Sequence, residues 1–427
     1  MHAVKKTKFI VALSLLLALA SVIGYSYLQQ GRAWVSEGRT PVTDHRELPV
    51  REAATTEIVS GLDAPWGFDW LPNGDVLITE RYGALRIVRG GALEPESIPG
   101  LPAISVVGQG GLLDVSVHPD FENNRWVYLS YSAGSPEANR LQVVRAELNG
   151  GRLEQLKVIF KVVSAKSGGG HFGSRFAWLP DGTLLFSVGD GGNPPIEFEG
   201  ALIRAQAQSL DEHFGKIVRI HDDGTIPMDN PFLNDPDAQS EIWSYGHRNV
   251  QGLTYDSVFG RLLASEHGSQ GGDELNKIDS GANYGWPRTT YSREYDLTGS
   301  LITPHQVLPG IREPAAVWTP SIAPSGLLAY SGDRYDGARG DVFLSAMLLR
   351  DNTTILAYLS EPAGALLRLK AGPEGVFSAQ EKIYLGAIRV RDVGQGPDGY
   401  LYVLTDTTEF PAEPGAKAGA LRRIDRF

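Results

Sequence analysis

One turn-and-strand signal recurs six times along this chain, and it narrows the possible folds more than any other feature. Leu71-Pro72-Asn73-Gly74 runs into an apolar stretch at 76–80, and His118-Pro119-Asp120-Phe121 into one at 126–131. Leu179-Pro180-Asp181-Gly182 runs into 183–188, and Tyr255-Asp256 with Phe259-Gly260 into 261–266. Ser331-Gly332-Asp333 and Gly340-Asp341 precede 342–345, and Gly396-Pro397-Asp398-Gly399 precedes 400–406. Proline presets φ and glycine accepts positive φ, so each unit reads as a hairpin with a physical cause. The units are spaced by roughly 45 to 80 residues, the blade period of a propeller plus insertions. One strand pair cannot bury its apolar face alone. Six arranged radially can, and closing the ring removes exposed sheet edges. The pattern predicts an all-β, six-bladed β-propeller over residues 53–427. A large β-sandwich or two β-domains would explain the strands but not six copies of one turn.

Composition agrees: the 427 residues include 50 Gly and 26 Pro, and long 3.6-periodic segments are missing after about residue 30. The net charge of −11 argues against nucleic acid or anionic lipid as a partner for the body of the chain. There is no cysteine, which excludes disulfides, thiolate metal sites and cysteine nucleophiles. The N-terminus bears on location. Lys5-Lys6-Thr7-Lys8 precedes an apolar run over 9–23 that contains Ala18-Leu19-Ala20. A basic region, an apolar core and a small-x-small site describe a secretory signal. Apolar character continues weakly to Leu28, so residues 1–28 read as a cleaved signal or as an N-terminal membrane anchor. Either way the body is expected outside the cytoplasm, in the periplasm. Residues 29–52 are polar and aperiodic and read as a linker.

In a propeller the ligand pocket lies on the axis and is built by loops of several blades. Functional residues should therefore be scattered, one or two per repeat, and polar side chains are indeed found beside glycines in that pattern. His171 lies in Ser167-Gly168-Gly169-Gly170-His171-Phe172-Gly173-Ser174-Arg175. Glycines allow close approach to the ring, and imidazole accepts a proton near neutral pH. Gln109, in Gly108-Gln109-Gly110-Gly111, offers a donor and an acceptor for a sugar hydroxyl; a turn-bracing amide explains that segment equally well. Tyr245-Gly246-His247-Arg248-Asn249 is followed by Ser265-Glu266-His267-Gly268-Ser269-Gln270-Gly271-Gly272-Asp273-Glu274. An arginine fork suits carboxylates, and Gly-rich turns expose carbonyls that calcium accepts beside carboxylate and phenol oxygens. Arg389 and Arg391 lie two apart in an extended segment, so they project from one face, which an anion between them would favour. A surface ion-pair role is the plainer alternative. Trp318, in Trp318-Thr319-Pro320-Ser321, offers a face for a flat ligand or fills the core. His118 and His213 read as structural, and no His-x-Glu-x-His zinc spacing occurs.

Taken in order, these motifs resemble the soluble pyrroloquinoline-quinone (PQQ)-dependent sugar dehydrogenases, the aldose sugar dehydrogenase branch of the glucose/sorbosone dehydrogenase family. The carrying segments are Ala64-Pro65-Trp66-Gly67, Gly108-Gln109-Gly110-Gly111-Leu112-Leu113, His118-Pro119-Asp120-Phe121, His171-Phe172-Gly173-Ser174-Arg175, Asp229-Asn230-Pro231-Phe232, Gly246-His247-Arg248-Asn249, Gly271-Gly272-Asp273-Glu274-Leu275-Asn276, Asn283-Tyr284-Gly285-Trp286-Pro287 and Arg389-Val390-Arg391-Asp392. Each is weak alone; in this order, from about Leu62 to Asp406, they are specific. The resemblance implies a six-bladed propeller that oxidises the anomeric carbon of aldoses to lactones, using PQQ and Ca²⁺. It implies that His171 is the general base and that Gln109 contacts the sugar. It implies that Arg248, Asn249, Tyr295, Trp318, Ser321, Arg389 and Arg391 hold the cofactor. The carbonyls of Gly268 and Ser269 would hold its calcium, and Glu274 with Tyr284 a further, structural calcium. The electron acceptor would be a membrane quinone or a periplasmic carrier.

Three departures stand out. Ser269 replaces the family's usual proline. Gly170 stands where the glucose-specific branch places an aspartate, which argues for broad aldose specificity. The family lysine after the fifth blade has no counterpart in Met347-Leu348-Leu349-Arg350-Asp351, where Arg350 is the substitute at hand. Two other functions use the same fold: a calcium-dependent lactonase or esterase, and a non-catalytic carbohydrate-binding propeller. The arginine cluster favours the anionic cofactor over the first, and an intact His171 favours catalysis over the second.

Overall fold

A computed structural model describes residues 40–296, 298–348, 364–372, 377–386, 388–406 and 414–427. The expected signal or anchor at 1–28 and the substitute Arg350 lie outside them. The six recurring turns are the links between the inner and second strands of six blades, so the chain is the six-bladed β-propeller its repeats predict. Blade 1 comprises Pro65–Trp70, Val76–Glu80, Ala84–Arg89 and Ala92–Leu93; blade 2 comprises Leu112–Val117, Trp126–Ser135, Ala138–Asn149 and Arg152–Lys161. Blade 3 is Gly173–Trp178, Leu184–Val188, Lys216–Ile220 and Ile242–Tyr245, and blade 4 is Val250–Asp256, Arg261–Glu266, Asp273–Ile278 and Ala316–Trp318. Blade 5 is Pro324–Ala329, Val342–Ala346, Ala365–Ala371 and Phe377–Tyr384. Blade 6 joins Arg389–Gln395, Leu401–Asp406 and Gly419–Arg426 to Ala54–Leu62 from the start of the body, so the two ends of the propeller pair in one sheet and close the ring.

The stretch expected as linker differs from that expectation at its C-terminal end. Val42–Thr43 pairs in parallel with Ala316–Trp318, and Val50–Glu52 with Phe377–Tyr384. These short segments cover the outer edges of blades 4 and 5. The register shows why: the outermost strands leave a row of unpaired backbone groups that an extended polar chain satisfies.

A bulge interrupts each inner strand at a corresponding place, between Pro65 and Phe68, Leu112 and Val115, Gly173 and Phe176, Val250 and Gly252, Pro324 and Leu327, and Val390 and Asp392. A bulge frees a backbone N–H and re-aims side chains. Hydroxyls on the second strands take up the freed groups. Thr79, Ser130, Ser187 and Ser345 accept from the N–H groups of Gly67, Asp114, Arg175 and Gly326. Three of them also donate to the next blade's inner strand, at Leu113, Ser174 and Val250. Blade 5 reaches blade 6 through Ser325, which donates to the Val390 carbonyl.

Closer to the axis, Arg175 of blade 3 bonds Asp114 of blade 2 at 3.2 Å and Asp392 of blade 6 at 2.8 Å. Removing one partner of such a buried set leaves an uncompensated charge. Gly67 and Gly326 face these carboxylates: a Cβ there would lie 2.4 Å from Asp114 Oδ1 and 2.1 Å from Asp392 Oδ1. The axis is thus fixed by polar ties, and the apolar cores lie farther out between neighbouring blades.

Candidate active site

A pocket of about 460 Å³ opens where the inner strands begin and the second strands end. Gln109, His171, Arg248, Asn249, Tyr295, Ser321, Arg389 and Arg391 all line it. These residues come from all parts of the ring but meet in one cavity.

His171 is 2% exposed and has a φ of +29°, in the left-handed region that a non-glycine residue rarely occupies. Its backbone N–H donates to Gln109 Oε1 at 3.2 Å, so Gln109 braces the loop that carries it. Its Nδ1 lies 2.6 Å from Asp190 Oδ1. Asp190 lies two residues past the second strand of blade 3, and its own N–H donates to the Arg248 carbonyl at 2.8 Å. Burial, then the Arg248 charge, hold the His171 imidazole below its usual pKa, opposed by Asp190. Burial alone would raise Asp190, but its contact with His171 and the Arg248 charge hold it below the usual carboxylate range. With Nδ1–H committed to Asp190, Nε2 is the basic atom.

Three arginines, Arg248, Arg389 and Arg391, line the same pocket. Arg391 lies 4.2 Å from the Trp66 ring centre, and Arg175 lies 4.4 Å from it. Burial, then the neighbouring Arg175 charge, bring Arg391 down to about 9. Arg391 Nη2 donates to Gln251 Oε1 at 3.1 Å, and Arg389 Nη2 contacts Met347 Sδ at 3.2 Å. Arg248 Nη1 donates to the carbonyls of His267 and Gly268, while its buried Nε has no hydrogen-bond partner among the described residues. Asn249 Oδ1 accepts from Gly173 N–H at 3.1 Å. Tyr295, 60% exposed, stands at the rim.

Trp318 corrects the sequence reading. Its side chain is fully buried in the apolar cluster between blades 4 and 5, with its indole N–H donating to Gln380 at 2.9 Å. It is the core tryptophan of the two alternatives and does not line the pocket. Ser321 lines it, but its hydroxyl donates to Asp273 Oδ2 at 2.7 Å. Asp273 also accepts from Gly268 N–H and Ile322 N–H, so it clips the 268–273 loop to the 321–323 loop.

Ser269 donates its N–H to Ser292 Oγ at 3.0 Å, a bond that proline lacks the hydrogen to make. The loop therefore recovers by hydrogen bonding the stiffness a proline would give. Gly170 has a steric cause: a Cβ there would lie 2.5 Å from the Asn193 backbone nitrogen. The 190–195 loop fills the space an aspartate would need.

A second, small cavity behind Arg248 is lined by Glu266, Gly268, Gly272, Glu274, Tyr284, Trp286 and Thr290, among others. Burial, then the nearby Glu266 charge, raise Glu274. A buried carboxylate, Glu266, and a half-buried one, Glu274, beside backbone carbonyls form an oxygen donor set of the kind calcium takes. Carbonyls would have to complete it, because among the described residues no three His, Asp or Glu side chains converge. Tyr284 lines this cavity as well; its phenol is engaged elsewhere, donating to the Lys277 carbonyl and accepting from Asp279 N–H, which leaves its backbone carbonyl as the oxygen it offers.

Asp190, His267, Trp66 and Gln251 had no assigned role in the sequence. The one signal for Asp190 is an acidic residue opening a Gly-Gly-Asn-Pro-Pro loop. His267 lines the pocket, and burial with the Arg248 charge holds it down at about 3, hence neutral.

The family model for glucose/sorbosone dehydrogenases matches residues 62–411, and the chain belongs to that family. It is 50% identical over 363 residues to an uncharacterised protein of Synechocystis, covering 83% of this chain and 84% of the relative. It is 35% identical to the aldose sugar dehydrogenase YliI of Escherichia coli, covering 81% and 88%. The PQQ-bound aldose sugar dehydrogenase of Streptomyces coelicolor is similar in structure, with a TM-score of 0.67 at 26% identity, covering 88% of this chain and 98% of that one.

Proposed function

We propose that this chain is a PQQ- and calcium-dependent dehydrogenase that oxidises the anomeric carbon of aldoses to lactones, with broad specificity. One observation carries the reading: a buried His171–Asp190 pair lines the same cavity as Arg248, Arg389 and Arg391. A base and a cationic cradle in one pocket suit a neutral hydroxyl substrate beside a polycarboxylate. The unpartnered Nε of Arg248 and the crowded charge on Arg391 both fit such an anion. The relatives named as aldose sugar dehydrogenases support the same class.

Bound PQQ would supply the hydride acceptor, and calcium would polarise it. The chain's own residues do the rest. Arg389 and Arg391 bind carboxylates, Arg248 and Asn249 orient the ring system, and Gly268 and Ser269 offer carbonyls to the metal. Glu266 and Glu274 suit a further calcium in the second cavity. His171 Nε2 takes the proton of the anomeric hydroxyl as hydride leaves C1, and Asp190 stabilises the imidazolium that forms. Tyr295 partly closes the mouth. A periplasmic location, with a quinone or soluble carrier as the final acceptor, follows from the residue 1–28 pattern and stays part of the proposal.

Reconstitution tests this reading. Chelator-treated protein receives PQQ with and without Ca²⁺, and dye reduction is followed with a panel of aldoses. Activity that requires both additions and spans several aldoses is expected. Absence of PQQ binding would contradict the dehydrogenase and leave a calcium propeller with hydrolytic or binding function.

A further inference from the structure

Trp286 takes no part in the chemistry above, yet it touches the partner of the base. Its indole N–H donates to Asp190 Oδ2 at 2.7 Å. The other oxygen, Oδ1, serves His171 Nδ1 at 2.6 Å and Gly192 N–H at 3.2 Å. Asp190 is 1% exposed and Trp286 6%, so solvent does not replace a lost donor. The indole is itself held. The backbone N–H of Trp286 donates to the Gly246 carbonyl at 2.9 Å, and Gln208 Nε2 donates to the Trp286 backbone carbonyl at 2.7 Å, which together fix the residue that carries the ring. The Arg248 guanidinium lies 5.3 Å from its ring centre.

We propose that Trp286 is a positioning residue for the general base: its N–H fixes the Asp190 carboxylate so that His171 keeps Nδ1 protonated and Nε2 turned to the substrate. The consequence for turnover rests on the dehydrogenase reading; the dyad geometry does not. The charged and titratable groups facing the dyad are Arg248, Lys166 and the neutral His267. Replacing Trp286 removes none of them. Without the N–H, Oδ2 is a buried carboxylate oxygen stripped of its donor. Its negative charge then falls more heavily on His171, and the dyad holds its proton to higher pH.

The test uses Trp286→Phe and, to preserve shape, replacement of Trp286 by its benzothiophene analogue, which lacks only the N–H. In ¹⁵N-histidine-labelled protein without cofactor, the His171 ring is followed by NMR against pH, with His171→Gln assigning its signals. The midpoint is expected to rise by roughly half a pH unit or more in both variants. In the PQQ- and Ca²⁺-loaded enzyme the acid limb of kcat/KM should rise with it, while PQQ affinity changes less than about threefold. A folded variant with an unmoved His171 midpoint overturns the proposal. Loss of PQQ affinity with an unmoved limb does so too, leaving Trp286 as packing for Arg248. If wild-type protein shows no PQQ-dependent turnover, the dehydrogenase reading fails and the NMR comparison still decides the role of Trp286.

Discussion

At the residue scale the site depends on a few side chains placed where their environment changes their chemistry. His171→Ala is expected to retain PQQ binding and lose about 10²-fold or more in kcat, the usual contribution of a general base; stopped-flow turnover against a PQQ titration separates the two. Burial and the Arg248 charge lower the His171 pKa, and the base acts deprotonated. Activity should therefore persist as pH falls past 6.5, with the acid limb of kcat/KM below that value; a limb well above it would show that the imidazole is not held as described. Gly170→Asp is expected to reduce kcat/KM for every aldose, because its Cβ collides with the Asn193 backbone and displaces His171. A gain in glucose selectivity at full activity would refute the steric account.

At the element scale, the bulge and the hydroxyl belong to one device repeated around the ring. Ser187→Ala strands the Arg175 N–H and cuts the tie to Val250. A loss of about 1–3 kcal/mol in denaturant unfolding is expected. This repeat was present in the sequence as Thr79, Ser130, Ser187 and Ser345 on the second strands, but a hydroxyl there also reads as ordinary strand composition. The turns were legible because proline and glycine leave a mark that few other structures need. The segments at 42–43 and 50–52 were not, since edge pairing through backbone atoms leaves no side-chain pattern.

At the scale of the whole molecule, closure brings together residues from 109 to 391 that are far apart in sequence. Glycine-flanked polar residues marked Gln109, His171, Arg248 and Asn249 as exceptions to strand chemistry, and all four line the pocket. Trp318 was misread because a tryptophan near a rigid loop looks the same in sequence whether it faces a ligand or a core. Asp190 was missed because its importance comes from its 2.6 Å contact with His171, made only in the folded ring. The second cavity, with Glu266 and Glu274 packed together, implies that calcium raises the thermal midpoint and that chelator lowers it; Glu274→Gln should blunt both effects in a melting experiment.

The central claim is that this pocket moves hydride from a sugar's anomeric carbon with His171 as the base. Single-turnover reduction of the PQQ- and Ca²⁺-loaded protein by an aldose, compared with the same aldose deuterated at C1, tests it most directly. The expected result is slower reduction by the deuterated sugar, with lactone as product and reduction slowed by about 10²-fold or more in His171→Ala. A cofactor that stays oxidised with every aldose tried, or one reduced at the same rate by both isotopologues when that step is the one observed, would contradict it.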